Sequence, residues 1–262
     1  MIDAHVHLWR IGEHGCTWPP PELDAIHRDV ELPELRALAS ANGIDGVVLV
    51  QSQEAAADTE WLLSLADDPL VLGIVGWSDL RGTVPSHPKL KGLRPMVQDK
   101  AADWYDDPAI DVALTAMIEC GLVLDALVRP RHLPALHRLA ARHPALSIVI
   151  DHAAKPDASD LAGWEAEMRA IATRPNVACK MSGLVTEPGL TPRIAEVAAI
   201  VIDSFGHDRL IWGSDWPVLT LAGNYTRWLA QAQALIAPGA RDAVFDGNAR
   251  RIYALSGAGS AS

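Results

Sequence analysis

Eight short runs rich in Val, Ile and Leu, separated by amphipathic stretches along a 262-residue chain, predict an α/β fold. The architecture they predict is a single-domain (β/α)8 TIM barrel, with room for distortion. Most runs are apolar on both parities, as expected of parallel strands buried on two faces. A doubly wound sheet is the alternative, but it would need fewer strands and a glycine-rich first turn that this chain lacks.

The first strand is expected at 2–9 (IDAHVHLW), followed by a proline- and charge-rich loop at 10–30 over one barrel end. Segment 31–42 places Leu32, Leu35, Leu38 and Ala39 on one helical face and stops at Gly43. Strands follow at 46–52, 70–77, 90–97 and 122–128. The helix expected at 132–143 aligns Leu133, Leu136, Leu139 and Ala140 before Pro144. After strands at 146–152 and 177–184, segment 191–204 opens with Thr-Pro, a cap residue and then proline at the first helical position. The last strand is expected at 210–216. Residues 1–256 are thus assigned to the barrel, as eight strand–helix units, and 257–262 (GAGSAS) to a flexible tail. No chain is left over for a lid domain, so loops 10–30 and 98–108 must supply any cover for a substrate.

Composition narrows the function classes. Hydrophobic residues make up 49% and charged residues 21%, enough apolar surface for a large core, which excludes disorder. The balance of 22 Lys+Arg against 33 Asp+Glu argues against nucleic acid, whose phosphates need clustered cations. Cys16, Cys120 and Cys179 are odd in number and scattered, so neither a disulfide framework nor a thiolate metal site is read from them. No signal-peptide pattern and no apolar run of about 20 residues is seen, so a cytoplasmic protein with no membrane partner is expected. The oligomeric state is not legible.

The strongest chemical signal is His5-Val-His7 inside the first strand. Residues two apart on a strand face the same side, so both imidazoles enter the barrel together. His152 closes the sixth strand and Asp215 the eighth, and barrel active sites form at such C-terminal ends. His152 shares its parity with Ile148 and Ile150, and Asp215 with Ile211 and Gly213, so both are expected to cap inward-facing rows. Three histidines and one carboxylate suffice to hold one divalent ion and leave a position for water. Each alone has a blander reading: a hydrogen-bonded core histidine, or an aspartate capping a helix. Their joint placement favours a site.

Longer strings then carry a resemblance. They are His5-x-His7, Lys-Gly-Leu-Arg94, Leu-Val-Arg-Pro-Arg-His-Leu-Pro at 127–134, and His152-Ala-Ala-Lys155-Pro156. Lys180-Met-Ser-Gly and Phe205-Gly-His-Asp-Arg-Leu-Ile-Trp-Gly-Ser-Asp215-Trp-Pro join them. Together they resemble the amidohydrolase superfamily (amidohydrolase family 2), in its sugar-lactonase-like branch with L-fuconolactone and L-rhamnonolactone hydrolases. The resemblance runs from the first strand to Tyr253 and implies lactone hydrolysis. Strand four lacks a bridging lysine and strand five offers Asp125 instead of histidine, which departs from the binuclear members and points to a mononuclear or metal-free site.

The expected enzyme therefore opens a lactone with one divalent ion, Zn2+ by preference, at His5, His7, His152 and Asp215; metal-independent catalysis stays open. Asp215 accepts a water proton, and His152 is the second catalytic candidate. Arg94 and Lys180 are expected to bind the carbonyl or a carboxylate, or else to pair with Asp125 or Asp151. Gln51 and Trp104 complete the substrate-binding expectations, as an amide donor and a flat apolar wall. A metal-dependent decarboxylase of a small unsaturated or aromatic acid is the alternative enzyme. A non-catalytic sugar-acid-binding barrel is the third possibility.

Overall fold

The computed structural model describes residues 1–256; the tail expected at 257–262 lies outside the described residues. Eight parallel strands follow chain order around one sheet. They are β1 (Ile2–Val6), β2 (Gly46–Val50), β3 (Val71–Gly76) and β4 (Leu90–Leu93). The circuit continues with β5 (Val123–Ala126), β6 (Ile148–Ile150), β7 (Val177–Met181) and β8 (Leu210–Trp212). Each falls inside the run expected for it, because these runs alone are apolar on both faces.

The helices are α1 (Leu32–Ala41), α2 (Ala56–Ser64), α3 (Asp111–Glu119) and α4 (Leu133–Arg142). They continue with α5 (Leu161–Ala172), α6 (Ile194–Phe205), α7 (Tyr225–Leu235) and the short α8 (Asn248–Ile252). The expected eightfold alternation fails at one place. No helix joins β3 to β4, where Gly82, Pro85 and Pro88 break any run, and both α7 and α8 follow β8. The barrel is therefore a distorted one.

Two apolar layers hold it. One lies between the strands and the helix ring, where Leu49, Ile150, Cys179 and Trp212 meet Leu35, Leu136, Met168 and Val201. The other fills the barrel interior with Val48, Val123, Val149, Ala178 and Ile211, plugged by Ala249, Tyr253 and Leu255. This assignment corrects one expectation. Ile148 and Ile150 belong to the outer layer, so strand parity does not carry His152 inward.

The ring closes at its C-terminal rim, through residues expected in the site. His7 N–H donates to the Trp216 carbonyl at 2.8 Å, and Asp215 N–H donates to the His5 carbonyl at 2.9 Å. Asp3 braces the same seam, accepting from Ser214 N–H at 2.8 Å and from the Tyr225 hydroxyl at 2.7 Å. Gly213 permits the approach, since a Cβ there would lie 2.6 Å from His5 Cβ. Among the described residues, no helix is long and apolar enough to cross a membrane.

Asp58, near the start of α2, is buried and accepts a 3.0 Å bond from Ser52 N–H. Burial pushes its carboxyl up to about 6, against the pull of the Ser52 and Gln53 N–H groups and Arg94. A folded value above the unfolded 3.8 means that stability from this group is full at low pH and is lost as pH rises through about 6. Asp58→Asn keeps an acceptor oxygen without the charge. It should raise stability at pH 7.5 by on the order of 1 kcal/mol, with the gain vanishing near pH 4. Urea unfolding at the two pH values checks this; an equal gain at both would contradict it.

Candidate active site and metal centre

A β-bulge sets the first two candidate ligands. The β1–β2 register shifts between Asp3 and Val6, so Asp3 turns toward α7 while His5 and His7 both face inward. His5 Nε2 and His7 Nε2 stand 3.2 Å apart. Asp215 Oδ1 lies 3.3 Å from His7 Nε2, 3.7 Å from His5 Nε2 and 3.9 Å from His152 Nε2. All four side chains are buried.

His152 reaches this point by a backbone reversal. Beyond β6, His152, Ala153, Ala154 and Lys155 all have positive φ, from 49° to 61°. Four consecutive non-glycine residues in that region cost about 1–2 kcal/mol each. Asp215 adds a fifth, with φ 60°. Such strain persists only where surrounding contacts over-determine it, and it clusters at functional sites. Gly183, with φ 65°, faces the reversal; a Cβ there would come within 2.5 Å of His152 Nδ1. Gly183→Ala should therefore displace the imidazole, cutting turnover at least tenfold and loosening metal retention. Steady-state kinetics and a chelator titration measure both.

The donor set fits a divalent ion. Each histidine has its Nδ1 engaged elsewhere: His7 with the Val50 carbonyl at 2.8 Å, His152 with Ser182 Oγ at 2.9 Å, and His5 beside Asp151 Oδ1 at 3.4 Å. Anchoring one ring nitrogen presents the other as a lone pair. Tetrahedral ligation at about 2.0–2.1 Å needs donors roughly 3.3 Å apart, close to the spacings here. Protonation agrees. Burial drives His5 well below its usual range and His152 down to about 4, so both are neutral at pH 7. Burial would raise Asp215, but the facing His152, His7 and His5 outweigh it and hold the carboxylate ionised.

Above these donors opens a cavity of about 560 Å³. His7, Arg94, His152 and Asp215 line its floor, with Trp18, Gln53, Gln98, Arg129 and Lys155 higher up. Loops 10–30 and 98–108 do contribute walls, through Trp18 and Gln98. Arg94 is buried yet reaches the cavity, held by Asp151 Oδ2 at 3.3 Å and by the Gln51 carbonyl.

Three expected substrate contacts are not brought to this cavity. Lys180 is fully buried below His5, with its ammonium held by Asp125 and Asp151. An uncompensated ammonium at that depth would cost several kcal/mol, so the ion-pair alternative holds. Gln51 is fully buried and donates to the Arg94 carbonyl at 2.9 Å, which makes it a support for Arg94. Trp104 lies on a short helical turn away from the cavity, beneath the Arg81 guanidinium 5.7 Å from its ring centroid. Conversely, Trp18, Gln53, Arg129 and Lys155 were not singled out as contacts. The last two stand inside strings already noted, whereas nothing in the local pattern marks Trp18 or Gln53.

A barrel with imidazoles and a carboxylate converging at its rim has the donor types that metal-assisted hydrolases use. The chain belongs to the amidohydrolase family, whose model matches residues 2–255. It is 44% identical to an L-fucono-1,5-lactonase of Burkholderia ambifaria, covering 97% of this chain and 95% of that protein. An L-fucono-1,5-lactonase of Burkholderia multivorans is 34% identical over 97% of this chain and 96% of its own length. A crystal structure of a Burkholderia multivorans amidohydrolase with bound zinc superposes with a TM-score of 0.91 at 33% identity, covering 97% of this chain and 99% of that one.

Proposed function

We propose that this chain hydrolyses a sugar-type lactone, using one divalent ion held by His5, His7, His152 and Asp215. The observation that carries the reading is the approach of His5, His7 and His152 to Asp215 Oδ1 at 3.3–3.9 Å, beside a cavity of about 560 Å³ that His7, His152 and Asp215 line. Similarity to two L-fucono-1,5-lactonases supports the reaction and names the substrate class to try first. A divalent ion at this position supplies acidified water near neutral pH and polarises a carbonyl.

The chain's own residues do the rest. Asp215, ionised and facing the cavity, takes a proton from the attacking water. It returns that proton to the ring oxygen as the acyl C–O bond breaks, leaving a hydroxy acid. Arg94 offers guanidinium N–H groups to the carbonyl oxygen as it becomes tetrahedral and negative. Its grip on Asp151 and Gln51 fixes that fork before the substrate arrives. Trp18 supplies a flat face for the apolar side of a sugar ring, while Gln53, Gln98, Arg129 and Lys155 surround its hydroxyls. Without the ion, His152 Nε2, 3.9 Å from Asp215 Oδ1, would be free to relay the proton instead.

A pH-indicator assay on L-fucono-1,5-lactone and a panel of other aldonolactones tests this. Acid release is expected, lost on chelation and restored by Zn2+. Chelator-resistant acid release would keep the reaction and remove the ion. No acid from any lactone, with carbon dioxide evolved from an aromatic acid, would replace the reading with decarboxylation.

A further inference from the structure

Beneath the four-donor centre lies a second convergence of ligand atoms, filled by the protein itself. The Lys180 ammonium sits 2.5 Å from Asp125 Oδ2, 3.1 Å from Asp151 Oδ1 and 3.3 Å from His5 Nδ1. One imidazole nitrogen and two carboxylate oxygens are the mixed donor types a divalent first-row metal ion takes. The Tyr253 hydroxyl donates to both Asp125 oxygens, at 2.8 and 2.9 Å, and fixes that carboxylate from below. Every member is fully buried. We infer that Lys180 is a tethered cation occupying a latent metal site, and that its presence holds the wild-type centre to one ion.

The physics is charge balance in a low-dielectric interior. Two ionisable carboxylates, Asp125 and Asp151, face Lys180, and Arg94 compensates only Asp151, at 3.3 Å. Removing the ammonium would leave uncompensated negative charge where water cannot screen it. A divalent ion supplies the missing charge if the Asp151 and His5 donors close in by about 0.5–1 Å, toward about 2.3–2.6 Å, while Asp125 already stands at that distance. His5 couples the two positions, since its Nε2 faces the upper donors and its Nδ1 faces Lys180. This inference rests on the metal reading above only for the count of one in the wild type.

Lys180→Ala tests it, with Mn2+ as the probe. Mn2+ bound per chain is counted by equilibrium dialysis and elemental analysis, with thermal unfolding as a second readout. The wild type is expected to bind one equivalent and the variant two. The variant's melting temperature should rise with Mn2+ beyond the wild-type rise, and methylammonium should restore part of its stability by refilling the pocket. If Lys180→Ala folds only with Mn2+ present, the inference stands. If it does not fold at all, Lys180→Ser, which opens the pocket but leaves one hydroxyl donor for the two carboxylates, is read in the same way. Two equivalents on the wild type would overturn the inference. So would a folded variant with no extra ion and no response to methylammonium. No Mn2+ on the wild type but one equivalent on the variant would sink the upper centre while sustaining the latent site.

Discussion

Asp215→Asn is expected to lower kcat for lactone hydrolysis by about a thousandfold or more, with the fold unchanged. The amide keeps the shape and loses the function. It cannot take a proton from water, and it removes the negative charge that three histidine nitrogens face at 3.3–3.9 Å. Metal retention should fall together with turnover. The backbone contact that closes the barrel here, from Asp215 N–H to the His5 carbonyl, is untouched by the substitution. Kinetics, metal content and the circular dichroism spectrum of the variant measure the three claims separately. Near-normal turnover would remove Asp215 from the mechanism.

Asp151→Asn is expected to cost about 3–5 kcal/mol of stability, the penalty for breaking a buried charge cluster by removing one partner. Asp151 is fully buried between two cations, with Lys180 at 3.1 Å and Arg94 at 3.3 Å, and beside His5 Nδ1. Burial alone would raise its carboxyl, yet Lys180, His5 and Arg94 hold it well below the usual range. A depressed folded value means its stabilisation is present at neutral pH and is lost on acidification through the acid range below 3.8. The Asn variant should therefore show a much reduced urea midpoint at pH 7. Activity should fall as well, because Arg94 loses the carboxylate that aims it. A midpoint within about 1 kcal/mol of wild type would mean that the cluster contributes little.

The two substitutions separate what each carboxylate does. Asp215 faces the cavity and, in the mechanism proposed, bears on chemistry; Asp151 is buried against Arg94 and His5 and bears on their geometry. Reading the sequence made Asp215 prominent because it ends an apolar run beside Trp216-Pro217. It made Asp151 only a candidate partner for Arg94 and Lys180, since a strand-end aspartate beside a histidine carries no sign of which groups it will meet.

Strand identity was legible because burial on both faces writes itself into unbroken Val, Ile and Leu runs. The missing β3–β4 helix has its cause in Gly82, Pro85 and Pro88, but the repeating pattern elsewhere invited a helix there that the chain does not form. His152 shows a limit of strand periodicity. Its inward position comes from a left-handed reversal after β6, and the parity of Ile148 and Ile150 leads to the wrong face.

By itself, then, the sequence determined the barrel and marked His5, His7, His152 and Asp215 as candidate donors, because hydrophobic periodicity and rare residues at strand ends are local features. Only the tertiary structure decided what the buried cations do. Arg94 reaches the cavity and Lys180 does not, although both begin in apolar strands. The difference lies in which carboxylates stand across the barrel. Asp125 and Asp151 trap the ammonium beneath His5, whereas Arg94, longer and forked, keeps Asp151 and still faces the substrate space. Those carboxylates come from β5 and from the end of β6, so their pairing with β4 and β7 exists only once the ring closes.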